Sequence, residues 1–175
     1  MSQTPSGLYA LKAFYTRMLS PISALAVRLK LSPDVFTVLG VLGGVLAGWS
    51  LTTGNGWLVL LGVLIRLAGA NLDGAVARAL GRESKRGFWV NEIGDRLGDW
   101  AMFFPTLLLG LEPAAYAGLL VAVALPTTVS LWGVVKRKHQ RINGGPFGKT
   151  ERGLFVALLG FAWPALQAAH PEQLV

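Results

Sequence analysis

Residues 35–51 read VFTVLGVLGGVLAGWSL, an apolar run without a charged residue, preceded by Ser32-Pro33-Asp34 and followed by a short polar turn from Thr52 to Gly56. With its ends this run approaches the ~20 residues an α-helix needs to cross a bilayer. Gly40, Gly44 and Gly48 recur at every fourth position and put bare backbone on one helical face. Such a face lets membrane helices approach closely, within one chain or between two copies. Ser32-Pro33 suits a helix start, because serine caps helices and proline fits the first helical position.

The rest of the chain repeats the pattern. Further apolar runs extend from about Trp57 to Leu80, Phe88 to Leu109, Ala114 to Val135 and Gly153 to Ala169, the last containing Pro164. They are joined by a basic loop from Gly81 to Gly87, a turn at Glu112-Pro113 and a long basic loop from Lys136 to Arg152, and are followed by a polar tail, His170 to Val175. The expected fold is all-α, a polytopic transmembrane helical bundle with five recognisable spans. Ahead of it, Leu8, Leu11, Tyr15, Met18, Ile22, Leu25 and Leu29 alternate by three and four, which puts them on one face of a helix over 7–30, broken at Ser20-Pro21. That helix suits the membrane interface with its basic residues outward; a packed surface helix is the alternative. The expected division is therefore an amphipathic juxtamembrane segment, 1–32, and a transmembrane domain, 33–175. Lys12, Arg17, Arg28 and Lys30 interrupt every early apolar stretch, so no cleavable signal peptide is expected, nor a soluble domain on either side.

Composition agrees with lipid as solvent. The chain is 53% hydrophobic and 14% charged, against about 25% charged in soluble domains. The net charge of +7 sits between apolar runs, which favours an anionic membrane surface over nucleic acid. All lysines and arginines except Arg66 and Arg96 fall in the N-terminal region or in the connections around 78–86 and 136–152. Five spans put all these basic segments on one side, the cytoplasmic one by the positive-inside rule. The absence of cysteine excludes disulfides, thiolate metal sites and cysteine nucleophiles.

Ionisable residues inside spans are costly and usually functional. Here they gather where the second and third runs meet the basic loop: Ala70-Asn71-Leu72-Asp73-Gly74-Ala75-Val76-Ala77-Arg78, eight residues, then Gly87-Phe88-Trp89-Val90-Asn91-Glu92-Ile93-Gly94-Asp95, with Asp99 one turn on. Asn91, Asp95 and Asp99 share a helical face, Glu92 is rotated from it, and an antiparallel partner would set Asp73 opposite. Arg66 and Asp99 are expected to pair, since each is otherwise a lone charge in hydrocarbon. The plain structural alternative makes Asp73 and Asp95 the counter-ions of Arg78 and Arg96. Trp89 and Trp100 suit packing or the interface, and Lys136, Arg137, Lys138 and Arg141 suit a solvated positive-inside run.

The stretch resembles the CDP-alcohol phosphotransferase family, whose pattern is Asp-x-x-Asp-Gly-x-x-Ala-Arg, eight residues, Gly-x-x-x-Asp-x-x-x-Asp. The spacing matches without a gap, and Asp73, Gly74, Ala77, Arg78, Gly87 and Asp95 occupy their fixed positions. The first and third aspartates are replaced by Ala70 and Asn91. Leu31-Ser32-Pro33-Asp34-Val35-Phe36-Thr37 resembles the family's Pro-Asn-x-x-Thr approach to the first span, and Gly145-Pro146-Phe147-Gly148-Lys149-Thr150-Glu151-Arg152 resembles the loop before the fifth. The likeness covers roughly 30–155; family members typically have six spans.

The resemblance implies transfer of a phosphoalcohol group from a CDP-linked donor, usually CDP-diacylglycerol, to an alcohol acceptor, with release of CMP, in phospholipid synthesis. It implies a homodimer in a bacterial inner membrane with the site facing the cytoplasm. The family's aspartates hold divalent metal, and the last acts as general base. Carried onto this chain, Asp95 is the catalytic residue, and Asp73, Asn91 and Asp95 are the metal ligands. Asp34, Thr37, Gly74, Ala77, Arg78 and Gly87 are the substrate-binding positions. Gly74 and Gly87 would let backbone approach the nucleotide, and Arg78 would pair with phosphate. Four carboxylates balance two dications; with Ala70 and Asn91 in place of two of them, one Mg²⁺ or Mn²⁺ is expected. Two other readings stand beside the enzyme: a relative that binds a CDP-lipid or a partner membrane protein without catalysis, and an unrelated small membrane protein such as a transporter subunit. The last accounts for the topology but not for the motif spacing.

Overall fold

The computed structural model describes residues 12–109, 112–136 and 148–169, and among these every regular element is helical. The elements are α1 (Lys12–Met18), α2 (Ser20–Arg28), α3 (Pro33–Thr52), α4 (Gly56–Ala79), α5 (Lys85–Phe103) continued by a 3-10 segment (Phe104–Leu109), α6 (Pro113–Lys136) and α7 (Lys149–Ala169). The start of the amphipathic segment, most of the long basic loop with Arg137, Lys138 and Arg141, and the tail lie outside the described residues.

Three helices, α3, α4 and α7, are long and apolar enough to cross a membrane, and Pro113–Leu125 of α6 forms a shorter apolar stretch. The third expected span departs from this because α5 carries Glu92, Asp95, Arg96 and Asp99 within its length. It belongs to the bundle through burial among its neighbours rather than through apolar composition. The fold is a helical membrane bundle, and this is an integral membrane protein: Leu42, Trp49, Leu61, Leu64, Leu158 and Phe161 are exposed along the helices, as side chains facing lipid are.

α3 is the centre. It packs on α4 along one side and α5 along another, and α7 covers α4. Its glycine face explains the closeness. A Cβ on Gly40 would touch the Arg66 and Ala70 backbone of α4, whereas one on Gly44 or Gly48 would overlap backbone of Gly98 or Ala101 in α5. Of the two uses open to this face, contact within one chain or between two copies, the structure shows the first.

The caps differ from expectation. Ser32 takes the N-cap position of α3 with Pro33 next, but makes no side-chain cap bond. Leu19, not Ser20, is the N-cap of α2, and Ser20 Oγ donates instead to the Arg17 carbonyl at 2.7 Å. True caps occur at Asn55, which accepts from Leu58 N, at Ser84, which accepts from Gly87 N, and at Glu112, which accepts from Ala114 N and Ala115 N.

The break at Ser20-Pro21 divides the amphipathic segment into α1 and α2. Leu19 and Ala26 are buried with Phe36, Leu72 and Val76, with Tyr15 packed alongside, and Tyr15 donates its hydroxyl to Leu64 O at 3.0 Å. Burial pushes the Tyr15 phenol above its ordinary pKa. Met18, Ile22, Leu25 and Leu29 remain exposed on a continuous stripe beside the spans.

Candidate functional site

The short loop between α4 and α5 turns through Gly81, whose φ of 63° falls in the left-handed region. Ser84 then caps α5, fixing its first turn. These two devices set the helices so that Asn91 of α5 donates its amide to Asp73 Oδ2 of α4 at 2.5 Å. Thr37 of α3 donates its hydroxyl to the same oxygen at 3.2 Å, and Gly74 N donates to Asp73 Oδ1 at 2.5 Å. Thr37 comes this close because Gly94 has no side chain: a Cβ there would overlap the threonine methyl.

Around Asp73 lies a cleft of about 480 Å³ between the starts of α3 and α5 and the end of α4. Asp34, Thr37, Asp73, Gly74, Ala77, Arg78, Gly87 and Asn91 all line it. Of the positions named from the sequence, Asp95 alone is not in the lining. Arg82, Ser84 and Arg86 join the wall unforeseen, so that arginines at 78, 82 and 86 face one space. Arg86 also reaches across to Asp34 at 3.9 Å.

Asp95 lies deeper, 3% exposed, inside a buried ion cluster. Arg66 Nη1 is 3.3 Å from Asp95 Oδ1, and Arg66 Nη2 donates to the Asp95 carbonyl at 2.7 Å and to Asp99 Oδ1 at 3.0 Å. From α7, Arg152 Nη2 donates to Asp99 Oδ2 at 2.7 Å, and the Lys149 ammonium meets Asp95 Oδ2. The Arg66–Asp99 pair is as expected from the sequence. Among the described residues Arg96 pairs with Glu92 at 2.6 Å, and Asp95 pairs with Arg66 and Lys149. Gly98 makes the cluster possible, because a Cβ on it would overlap the Arg66 guanidinium and stem.

The donor chemistry tests the expected metal. Among the described residues no group of three or more acidic or histidine side chains is placed to hold an ion. Both oxygens of Asp95 face cations, and position 70 carries no donor. The set does not fit a centre of two ions. An ion at the cleft would have as protein donors Asp73 and, with its amide turned, the Asn91 carbonyl.

In the sequence Lys149 and Arg152 belong to the loop before the last apolar run; their spacing of three at a helix start is the signal that both lie on one side. Gly94 and Gly98, four apart on the motif helix, carried a similar signal.

Comparison with known proteins follows the same line. The sequence model of the CDP-alcohol phosphatidyltransferase family matches residues 30–174. Inner membrane protein YnbA of Escherichia coli is 35% identical, the match covering 57% of this chain and 50% of the relative. A phosphatidylinositol phosphate synthase of Streptomyces avermitilis is 37% identical over 53% of this chain and 38% of its own length. Another, of Mycolicibacterium smegmatis, is 28% identical over 85% of this chain and 69% of its own. The chain thus spans half or less of the first two relatives. No solved structure matches it.

Proposed function

Because the chain belongs to the CDP-alcohol phosphatidyltransferase family, we propose that it is a membrane transferase moving a phosphoalcohol group from CDP-diacylglycerol to an alcohol acceptor in phospholipid synthesis. The carrying observation is the cleft: residues from three helices, far apart in sequence, line one space with Asp73 and Asn91 at its floor and arginines 78, 82 and 86 on its wall. A pyrophosphate is the ligand such a wall suits, since guanidinium forks pair with phosphate oxygens.

In this reading Asp34, Thr37, Gly74, Ala77, Arg78 and Gly87 bind the donor. Gly74 and Gly87 leave room for its phosphates: a Cβ on Gly74 would stand 3.1 Å from Arg78 Nη1, crowding the guanidinium. A single Mg²⁺ or Mn²⁺ on Asp73 and Asn91, completed by water and phosphate oxygens, would supply charge neutralisation of the pyrophosphate. Thr37 and the Gly74 amide orient the Asp73 carboxylate. Asp95 is the proposed base. The acceptor oxygen bonds to the phosphorus that carries the alcohol, its proton passes to Asp95, and the bond from that phosphorus to the bridging oxygen breaks with its electron pair leaving on CMP. The site faces the cytoplasm of a bacterial inner membrane in this proposal, supported by the basic residues around it. A homodimer rests on the family alone, since the glycine face is occupied within the protomer. The domain is taken as 33–175, with 1–32 as its interfacial segment.

A second reading, a CDP-lipid binder without catalysis, is favoured by Ala70, Asn91 and the cation-covered Asp95. Release of CMP from CDP-diacylglycerol by the chain in lipid nanodiscs, with inositol phosphate, glycerol phosphate and serine as acceptors, separates the two: the transferase releases CMP with an acceptor present, and the binder does not.

A further inference from the structure

Among the described residues, the buried carboxylates Asp95 and Asp99 pair with three cations beside the cleft, Arg66, Lys149 and Arg152, and Glu92 pairs with Arg96. Asp73, in the cleft itself, is held by hydrogen bonds from Thr37, Gly74 and Asn91. We infer that the Lys149 ammonium takes the place of a second divalent ion on Asp95, so that the protein itself supplies one of the two positive centres a pyrophosphate-handling site needs. The inference rests on the transferase reading for its purpose, but not for its geometry.

The substitutions at 70 and 91 give the physical reason. Carboxylates at 70, 73, 91 and 95 would place four negative charges around the cleft floor and draw in two dications. With alanine and asparagine at two of these positions, a second dication would find Asp95 as its sole carboxylate, already facing Arg66 and Lys149. It would bring excess positive charge into a low-dielectric region where unpaired charge is costly. An ammonium carries one charge, needs no ligand shell, and enters on a chain that is already tethered. Lys149 is suited to this: it is the first residue of α7, its side chain is 37% exposed, and Arg152 one turn on anchors that helix end to Asp99. The helix thus delivers an ammonium held in register by its neighbour.

The test titrates MnCl₂ into the purified full chain in nanodiscs and counts bound ion by the loss of the free-Mn²⁺ paramagnetic resonance signal, with and without CDP. The native chain binds one Mn²⁺ in the presence of CDP. Lys149→Gln binds a second ion, or the first at least tenfold more tightly; Lys149→Arg matches the native chain; Lys149→Gln with Asp95→Asn loses the gain. Unchanged or weaker Mn²⁺ binding in Lys149→Gln overturns the inference, and so does a native stoichiometry of two, which needs no variant to fold. Failure of the transferase reading looks different: CMP release is absent from the native chain while the Mn²⁺ gain of Lys149→Gln persists.

Discussion

Arg66 Nη2 lies 3.0 Å from Asp99 Oδ1, so an arginine of α4 and an aspartate of α5, each almost fully buried, meet inside the bundle. Arg66 serves Asp95 with the same guanidinium, and Asp99 also holds Arg152 of α7. One arginine therefore ties the two motif helices together, and one aspartate ties both to the last described helix. Removing one partner of a buried ion pair costs about 3–5 kcal/mol, because the remaining charge is left uncompensated. Arg66→Met is expected to lose stability of that order, read from denaturant unfolding in detergent micelles. A loss within the scatter of surface substitutions contradicts the role.

Gly98 and Gly118 make a matched pair. A Cβ on Gly98 would overlap the Arg66 side chain, whereas one on Gly118 meets nothing within 4 Å. Overpacking of this kind costs about 1–3 kcal/mol, and alanine is favoured over glycine in an open helix by up to ~1 kcal/mol. Gly98→Ala should therefore lower the thermal midpoint and Gly118→Ala should hold or raise it. Equal shifts would show that the close approach at Gly98 is not tight.

Topology is open to a clean labelling experiment, because the chain contains no cysteine. Glu83→Cys in the α4–α5 loop should react with a membrane-impermeant thiol reagent in inverted vesicles and not in intact cells. Thr53→Cys in the α3–α4 turn should show the reverse pattern. Labelling of position 83 from outside intact cells would remove the cytoplasmic site.

Much of this arrangement is legible in the sequence, and the limits are physical. The spans were readable as long apolar runs, with bounds close to those of α3, α4 and α7. Asp34, Thr37 and the motif positions line one cleft because the start of α3 lies beside the end of α4 and the start of α5. Periodicity says which residues share a face but not which helix covers that face. For that reason Lys149 reaching Asp95, 54 positions away, could not be read from the motif alone. The glycine face of α3 showed closeness without naming its partners, which proved to be α4 and α5. Serine before proline indicated helix starts, but Ser32 has the extended backbone of a cap without a side-chain cap bond, and Ser20 lies inside α2 rather than at its cap.

The Asp73 carboxylate is the point where donor, cation and three helices are proposed to meet, so the account is tested most directly by CMP release from CDP-diacylglycerol in nanodiscs, comparing the native chain with Asp73→Asn. The native chain is expected to release CMP only with both an acceptor alcohol and Mg²⁺ or Mn²⁺ present. Asp73→Asn keeps the hydrogen bond from Thr37 but loses the negative charge, and should fall by about 100-fold or more, the scale seen when one stabilising group is removed from a reaction centre. CMP release at the same rate in both chains, or from neither with any acceptor, contradicts it.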